Sequence, residues 1–165
     1  MTRLATRWYL RHDGRDLPPP PVPFAGLTLV APGRVPEAFY RFLYAEVGRQ
    51  WEWTDRLGWT DEQIRVQLSR PDVSITVVYH DGIPAGFFEL VGSAGGPIDI
   101  AYFGLMPWLT GQGVGRWLLA EAIAAARAAG ATSVTLNTCS LDHPSALPNY
   151  LARGFVVVRT EEYAV

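Results

Sequence analysis

Apolar and polar positions switch between two periods along the chain, and the switches predict an order of elements. Leu27–Val30 reads as a strand, and a helix follows from about Pro36, a residue suited to a first helical turn. Phe39, Phe42 and Leu43 stand at i, i+3 and i+4 on one helical face, and Gly48 ends the run. Residues 49–59 fit neither period and read as a loop rich in tryptophan. Thr60 can cap a second helix over about 61–69, with Gln63 completing a capping box. Residues 73–79 are rich in β-branched side chains and read as a strand, Asp81-Gly82 is a hairpin signal, and 84–91 and 98–105 continue a meander. A glycine loop then leads into a long helix over about 113–129. A strand at 134–138, a short helix at 145–152 and a strand at 155–160 close the pattern. The order β-α-α-β-β-β-α-β-α-β predicts an α/β fold: a mixed sheet of about six to seven strands flanked by about four helices.

Ahead of this pattern, residues 18–23 read Pro-Pro-Pro-Pro-Val-Pro and are expected to be extended polyproline II. They divide the chain into an N-terminal extension, 1–23, and a domain, 24–165, with at most a weak hairpin around His12-Asp13-Gly14. Arg3, Arg7, Arg11 and Arg15 are spaced by four, as on a helical stripe, but Gly14 and the prolines oppose a helix there. The 165 residues, 48% hydrophobic and 18% charged, can build one core. A net charge of −2 offers no global basic field for nucleic acid or an acidic membrane. All 14 basic residues are arginine, a bias that fits a GC-rich, bacterial-like genome. Cys139 is the single cysteine and no apolar run reaches spanning length, so a cytoplasmic protein is expected.

The most informative stretch is Leu105-Met106-Pro-Trp-Leu-Thr110-Gly111-Gln112-Gly113-Val114-Gly115-Arg116, a strand feeding three glycines and a helix start. Glycines let a backbone turn and approach a ligand, and the free amides and positive dipole end of a helix attract an anion. A P-loop would need Lys and Ser or Thr after the last glycine, where Arg116 and Trp117 stand. A dinucleotide fingerprint would need G-x-G-x-x-G in an early βαβ unit. The pyrophosphate of coenzyme A is the third candidate.

Thr110-Gly-Gln-Gly-Val-Gly115 resembles the [Arg/Gln]-x-x-Gly-x-[Gly/Ala] signature of the GNAT N-acetyltransferases, with Thr110 in place of Arg or Gln. Ala146-Leu-Pro-Asn149-Tyr150-Leu-Ala-Arg-Gly154-Phe155 resembles the family's Ala-x-x-x-Tyr-x-x-x-Gly-Phe, with His143 where an Asn is usual. The resemblance covers about 24–163 and implies a GNAT-like fold and acetyl-coenzyme A as co-substrate, with no metal. It implies pyrophosphate amides from Gln112 through Arg116, with Leu105, Met106, Thr110, Gly111 and Asn149 completing the coenzyme site. A backbone amide near Leu105 would hold the oxyanion, and Tyr150 would protonate the leaving thiolate.

From the residues themselves, Glu89 is the candidate base, since period two places this carboxylate on one face with Ala85, Phe87 and Val91. An acceptor wall is expected from the loop 49–59. Trp51, Trp53 and Trp59 can stack on a cation or ring, Arg49 and Arg56 can hold a carboxylate, and Tyr102 lies on the neighbouring strand. Cys139 and His143 form Cys-x-x-x-His, too few ligands for a closed metal site and too close in sequence for a good triad. The expected activity is acetyl transfer to a primary amine of a small molecule or peptide, with a homodimer left open. The alternative is a non-catalytic acyl-coenzyme A-binding module on the same fold.

Overall fold

Seven strands form one mixed sheet in the order β2-β3-β4-β5-β6-β1-β7, with β5 and β6 parallel and every other neighbouring pair antiparallel. This is a computed structural model, and it describes residues 3–165. The elements are β1 (Leu4–His12), β2 (Leu27–Val30), α1 (Glu37–Gly48), α2 (Asp61–Leu68), β3 (Val73–His80), β4 (Ile83–Val91) and β5 (Pro97–Leu105). After a 3-10 turn at Pro107–Leu109 come α3 (Val114–Ala128), β6 (Ser133–Cys139), α4 (Ala146–Ala152) and β7 (Phe155–Ala164). No helix among the described residues is long and apolar enough to cross a membrane.

Helices cover both faces and make two cores. One lies beneath α3 and α4, where Leu118, Ala122 and Ile123 meet Phe88, Ile98, Leu136 and Phe155. The other lies beneath α1 and α2, where Tyr40, Leu43, Val47 and Ile64 meet Ile75, Val77 and Phe87. Local chemistry sets the elements as expected. Thr60 and Gln63 form the reciprocal capping box of α2. Asp81 and Gly82 both take positive φ, 50° and 81°, the backbone a tight two-residue hairpin turn requires.

Two bulges shape the region where the site lies. On β4, Val78 pairs Gly86 and Tyr79 pairs Pro84, leaving Ala85 as an extra residue. Ala85 therefore packs in the α3–α4 core, whereas Phe87 faces α1; this corrects the expectation that Ala85 and Glu89 share a face. On β5, Glu89 pairs Tyr102 and Leu90 pairs Ile100, so Ala101 is the extra residue. The parallel β5–β6 pairing ends at that point, with Ile100 opposite Leu136. Beyond it the two strands splay, and their facing edges are free.

The segment expected as an extension ahead of the domain is β1, an inner strand of the sheet. Its Arg7–Arg11 stretch pairs with β6, and Leu4–His12 pairs along β7 from Ala164 to Phe155. A spacing of four is even, so the arginine series that suggested a helical stripe serves a strand face equally well. The His12-Asp13-Gly14 turn makes no hairpin, because the partners of β1 lie at the other end of the chain. The proline run is a strap laid on the domain. Arg153 donates to Pro18 O at 2.8 Å, and Pro23 lies about 3.9 Å from where a Cβ on Gly113 would stand.

His12 fastens the end of β1. Its Nδ1 accepts from the Gly14 amide at 3.0 Å, and its Nε2 lies 2.9 Å from Arg153 O, so Nε2 carries the proton. Burial lowers its pKa from 6.5, partly opposed by the Arg153 carbonyl, while Arg127 adds to the lowering. The unfolded chain then takes up this proton first. The stabilisation is complete above about pH 6.5 and is lost as pH falls through the depressed folded value. Thermal melts from about pH 7.5 down to 5 are expected to show a falling Tm that His12→Gln makes shallower. An identical slope in both proteins would place the proton uptake elsewhere.

Candidate active site

The splay of β5 and β6 opens into a cleft of about 1160 Å³ that runs through the molecule beside the N-terminus of α3. It collects much of what the sequence singled out. Leu105, Thr110, Gly111, Gly113, Gly115 and Arg116 line it at one end, Asn149 and Tyr150 on α4 flank it, and Trp51, Trp53 and Tyr102 line the α1 side.

At the α3 end, Gly111 and Gly113 take φ of 75° and 81°. Nothing lies within 4 Å of a Cβ built on Gly111, so the backbone conformation, and not crowding, calls for glycine there. Gly113 is the N-cap of α3 and supplies no side-chain cap. The amides of Val114, Gly115 and Arg116 are thus the unpaired first-turn donors of a 15-residue helix. Arg116 is exposed on the cleft, adding a cation to the dipole end. Thr110, at the position where the family carries Arg or Gln, turns its hydroxyl to Pro107 O at 2.9 Å. Gln112 holds Trp108 O at 3.1 Å, so it contributes through its backbone alone. Asn149 Nδ2 donates to Gly115 O at 3.4 Å and joins α4 to this turn.

In the middle of the cleft the Met106 amide donates to Ala85 O at 2.8 Å. Met106 is thereby committed, and its side chain is buried in the α1 core. Successive amides of a strand point to opposite edges, so the Leu105 amide points away from β4, into the gap. Tyr150 packs edge-to-face on Phe103 and Phe155, with ring centroids 6.1 Å apart in each case. Burial, and then the charge of Asp142, raise its pKa above the usual 10, so the phenol holds its proton.

On the acceptor side, Glu89, Arg56, Trp59 and Arg49 do not line the cleft. Glu89 is 0% exposed, and its Oε1 accepts from Tyr40 at 2.9 Å and from Arg56 at 2.8 Å. Arg56 is spent on this buried pair, with its guanidinium 4.5 Å from the Tyr102 ring and 4.7 Å from the Trp59 ring. Trp59 opens onto a shallow depression shared with α2. Glu89 therefore does not touch a reacting atom directly, and Arg56 cannot hold an acceptor carboxylate, because each neutralises the other behind the wall. The expectation for Arg49 changes for the same reason, since it is bound to Glu46. What the Glu89–Arg56 pair does is fix the loop that follows α1. Gly48 and Gly104 help: a Cβ on either would run into Trp53 or Val47, so both let the loop close on β5.

The cleft also holds residues the sequence reading passed over. Asp55 is exposed there, with Oδ2 3.5 Å from the Tyr102 hydroxyl, and Glu52 stands beside it. From the other side come Arg7 on β1, Asn137 and Cys139 on β6 and Tyr163 on β7. Asp55 lay in plain view within the tryptophan loop, whereas Arg7 lay in the segment set aside as an extension. Trp51 and His143 meet edge-to-face at 5.0 Å and link the two walls, so His143 is an aromatic partner and not half of a thiol site.

The Acetyltransferase (GNAT) family matches residues 38–155. Among solved structures, a GCN5-related N-acetyltransferase from Kribbella flavida superposes with a TM-score of 0.68 at 21% identity, covering 99% of this chain and 59% of that one. One from Sphaerobacter thermophilus gives 0.69 at 19% identity, covering 99% and 53%. A GNAT-family acetyltransferase from Novosphingobium aromaticivorans gives 0.60 at 21% identity, covering 99% and 65%. The chain thus spans between about half and two thirds of the length of these structures. No curated relative matches it. With more than two thirds of its residues inside the family match, and with the mixed sheet and glycine turn already described, the chain belongs to the GNAT acetyltransferase family.

Proposed function

We propose that the protein moves an acetyl group from acetyl-coenzyme A to a primary amine of a small molecule or peptide by direct attack on the thioester. The observation that carries this reading is the meeting of three parts in one cleft: free amides at the start of α3, unpaired strand edges beyond Ala101, and a protonated Tyr150. The first-turn amides and Arg116 suit a pyrophosphate. The free edges of β5 and β6 suit an extended chain with amides of its own, which can pair as an added strand. That geometry would bring a thioester carbonyl to the Leu105 amide, the donor its developing oxyanion needs.

The acceptor enters as an ammonium and must lose a proton before its nitrogen is nucleophilic. Asp55, the carboxylate facing the cleft beside Tyr102, is placed to take or relay that proton, the task the sequence assigned to Glu89. The amine nitrogen then forms a bond to the carbonyl carbon. The C–S bond breaks, the sulfur takes the Tyr150 proton, and the new amide nitrogen sheds its second proton to solvent, from which the Tyr150 phenolate is reprotonated. Tyr150→Phe keeps the ring contacts with Phe103 and Phe155 and removes only the proton. It is expected to lower kcat by roughly 10–10³-fold with acetyl-coenzyme A binding preserved. The raised Tyr150 pKa also has a sign: the acid form persists past pH 10, so kcat should show no alkaline fall centred at or below 10.

Thiol release with and without an added amine tests the reading. The chain contains no lysine, so self-acetylation of lysine side chains cannot mask the result. Release should be near background alone and rise with at least one amine from a panel of amino acids, polyamines, aromatic amines and peptide N-termini. Binding without any amine-dependent release would assign the cleft to an acyl-coenzyme A-binding module.

A further inference from the structure

Two arginines line the cleft. Arg116 stands in the first turn of α3, and Arg7 stands on β1, across β6 from the strand that feeds that turn. Arg7 is directly opposite Cys139 on β6, so it shares the sheet face of Cys139 and Asn137, away from the α3–α4 core. This is the face of Tyr102 and the tryptophan loop, the acceptor side of the proposed transfer.

Arg7 is held ready and incompletely used. Its guanidinium lies over the Tyr163 ring at 4.6 Å, which fixes its plane. Its nearest carboxylate oxygen, Glu161 Oε1, is 3.8 Å away, and that oxygen already accepts from the Tyr9 hydroxyl at 2.7 Å. The other oxygen of Glu161 binds Arg159 at 2.9 Å. Arg7 Nε is buried with no hydrogen-bond partner. That atom is closed to solvent, so a ligand in the cleft can reach only the part-exposed terminal nitrogens. The opposite wall carries the opposite sign: Asp55 has no ion pair among the described residues, and Arg56 and Arg49 on the same loop are neutralised by Glu89 and Glu46.

We propose that Arg7 anchors the carboxylate of a zwitterionic acceptor whose ammonium lies on the Asp55 side, so that the amine acetylated belongs to an amino acid or a similar amino-carboxylate. This rests on the acetyl-transfer reading above. Glu52 is already paired with Arg3, so a diamine would find Asp55 alone and would set its second charge against Arg7. Charge-assisted, two-pronged contact is what a stacked arginine offers a carboxylate, and its loss costs roughly 10–100-fold in kcat/KM.

The test compares phenylalanine, phenylalaninamide, phenethylamine and putrescine as acceptors in the thiol-release assay. It uses the wild type, Arg7→Met, Arg7→Lys and Arg7→Glu, each shown to be folded by an intact acetyl-coenzyme A thermal shift. The wild type should favour phenylalanine over its amide and amine by roughly 10–100-fold in kcat/KM, mostly through KM. Arg7→Met should level the three, Arg7→Lys should restore part of the preference, and Arg7→Glu should favour the amines. Equal use of acid and amide, faster use of putrescine, or a preference surviving in Arg7→Met overturns the proposal and leaves acetyl transfer standing. Silence with these four overturns this proposal, and silence across the full amine panel overturns the transfer reading with it.

Discussion

Gly113→Glu is expected to abolish the rise in Tm that acetyl-coenzyme A gives the wild-type protein. A ligand at about 100 times its Kd stabilises by about 2.7 kcal/mol, worth roughly 5–10 °C for a chain of this size. Gly113 is the left-handed N-cap whose neighbours offer their amides. A glutamate there strains the backbone and brings its own carboxylate to the positive end of α3, where it competes with a phosphate for the same donors. Gly113→Ala separates the effects: it carries the strain without the charge, so its Tm should drop while its ligand shift persists. A full ligand shift in folded Gly113→Glu would mean that this turn does not hold the pyrophosphate.

Arg56→Met is expected to cost about 3–5 kcal/mol of folding stability, read as a lower denaturant midpoint. It strands the Glu89 carboxylate, which is 0% exposed and whose second oxygen already lacks a partner. Tyr40 cannot compensate as a cation would. Burial, and then the neighbouring Glu89 charge, push its phenol above the usual range, so it remains a neutral donor. Removing both charges together, in Arg56→Met with Glu89→Leu, should recover most of the loss, since a well-packed apolar pair can replace a buried ion pair. A loss below about 1 kcal/mol for Arg56→Met alone would remove the pair from the fold's supports. Acceptor KM should rise in the single variant, because the same guanidinium braces the loop that carries Asp55.

The sequence made the coenzyme end of the cleft legible because its parts are local. Three glycines, a helix start and a tyrosine four residues before a Gly-Phe turn all lie within short stretches of chain. The acceptor end is assembled from residues distant in sequence. Period two put Glu89 on one face with Phe87, yet periodicity carries no information about Arg56, 33 positions away, which pairs with it. The bulge at Ala85 moved one residue of the same pattern to the other core; Pro84 and Gly86, residue types that mark a bulge inside a strand, flank it. The seven-stranded sheet needed β1, whose alternation of Ala5, Arg7 and Tyr9 against Trp8 and Leu10 reads as a strand only once its partners are known. Proline-rich sequence after it looked like a boundary because prolines in a linker and prolines in a strap have the same local signature.

The insertion of β1 between β6 and β7 also has a kinetic consequence. Leu4 meets Ala164 and Arg7 meets Cys139, so β1 must wait for strands that follow it by more than a hundred residues. Pairings this distant along the chain pay a large loop-closure entropy before any contact repays it, and they slow folding. The β3-to-β5 meander, whose hairpins are local, can form while β1 is still unpaired. The acetyl-donor half of the cleft can therefore take shape before the wall that carries Arg7. A refolding experiment with two probes should see coenzyme binding recover ahead of burial of Trp8. Moving β1 to follow β7 by circular permutation would turn its longest-range pairing into a hairpin and bring the two phases together.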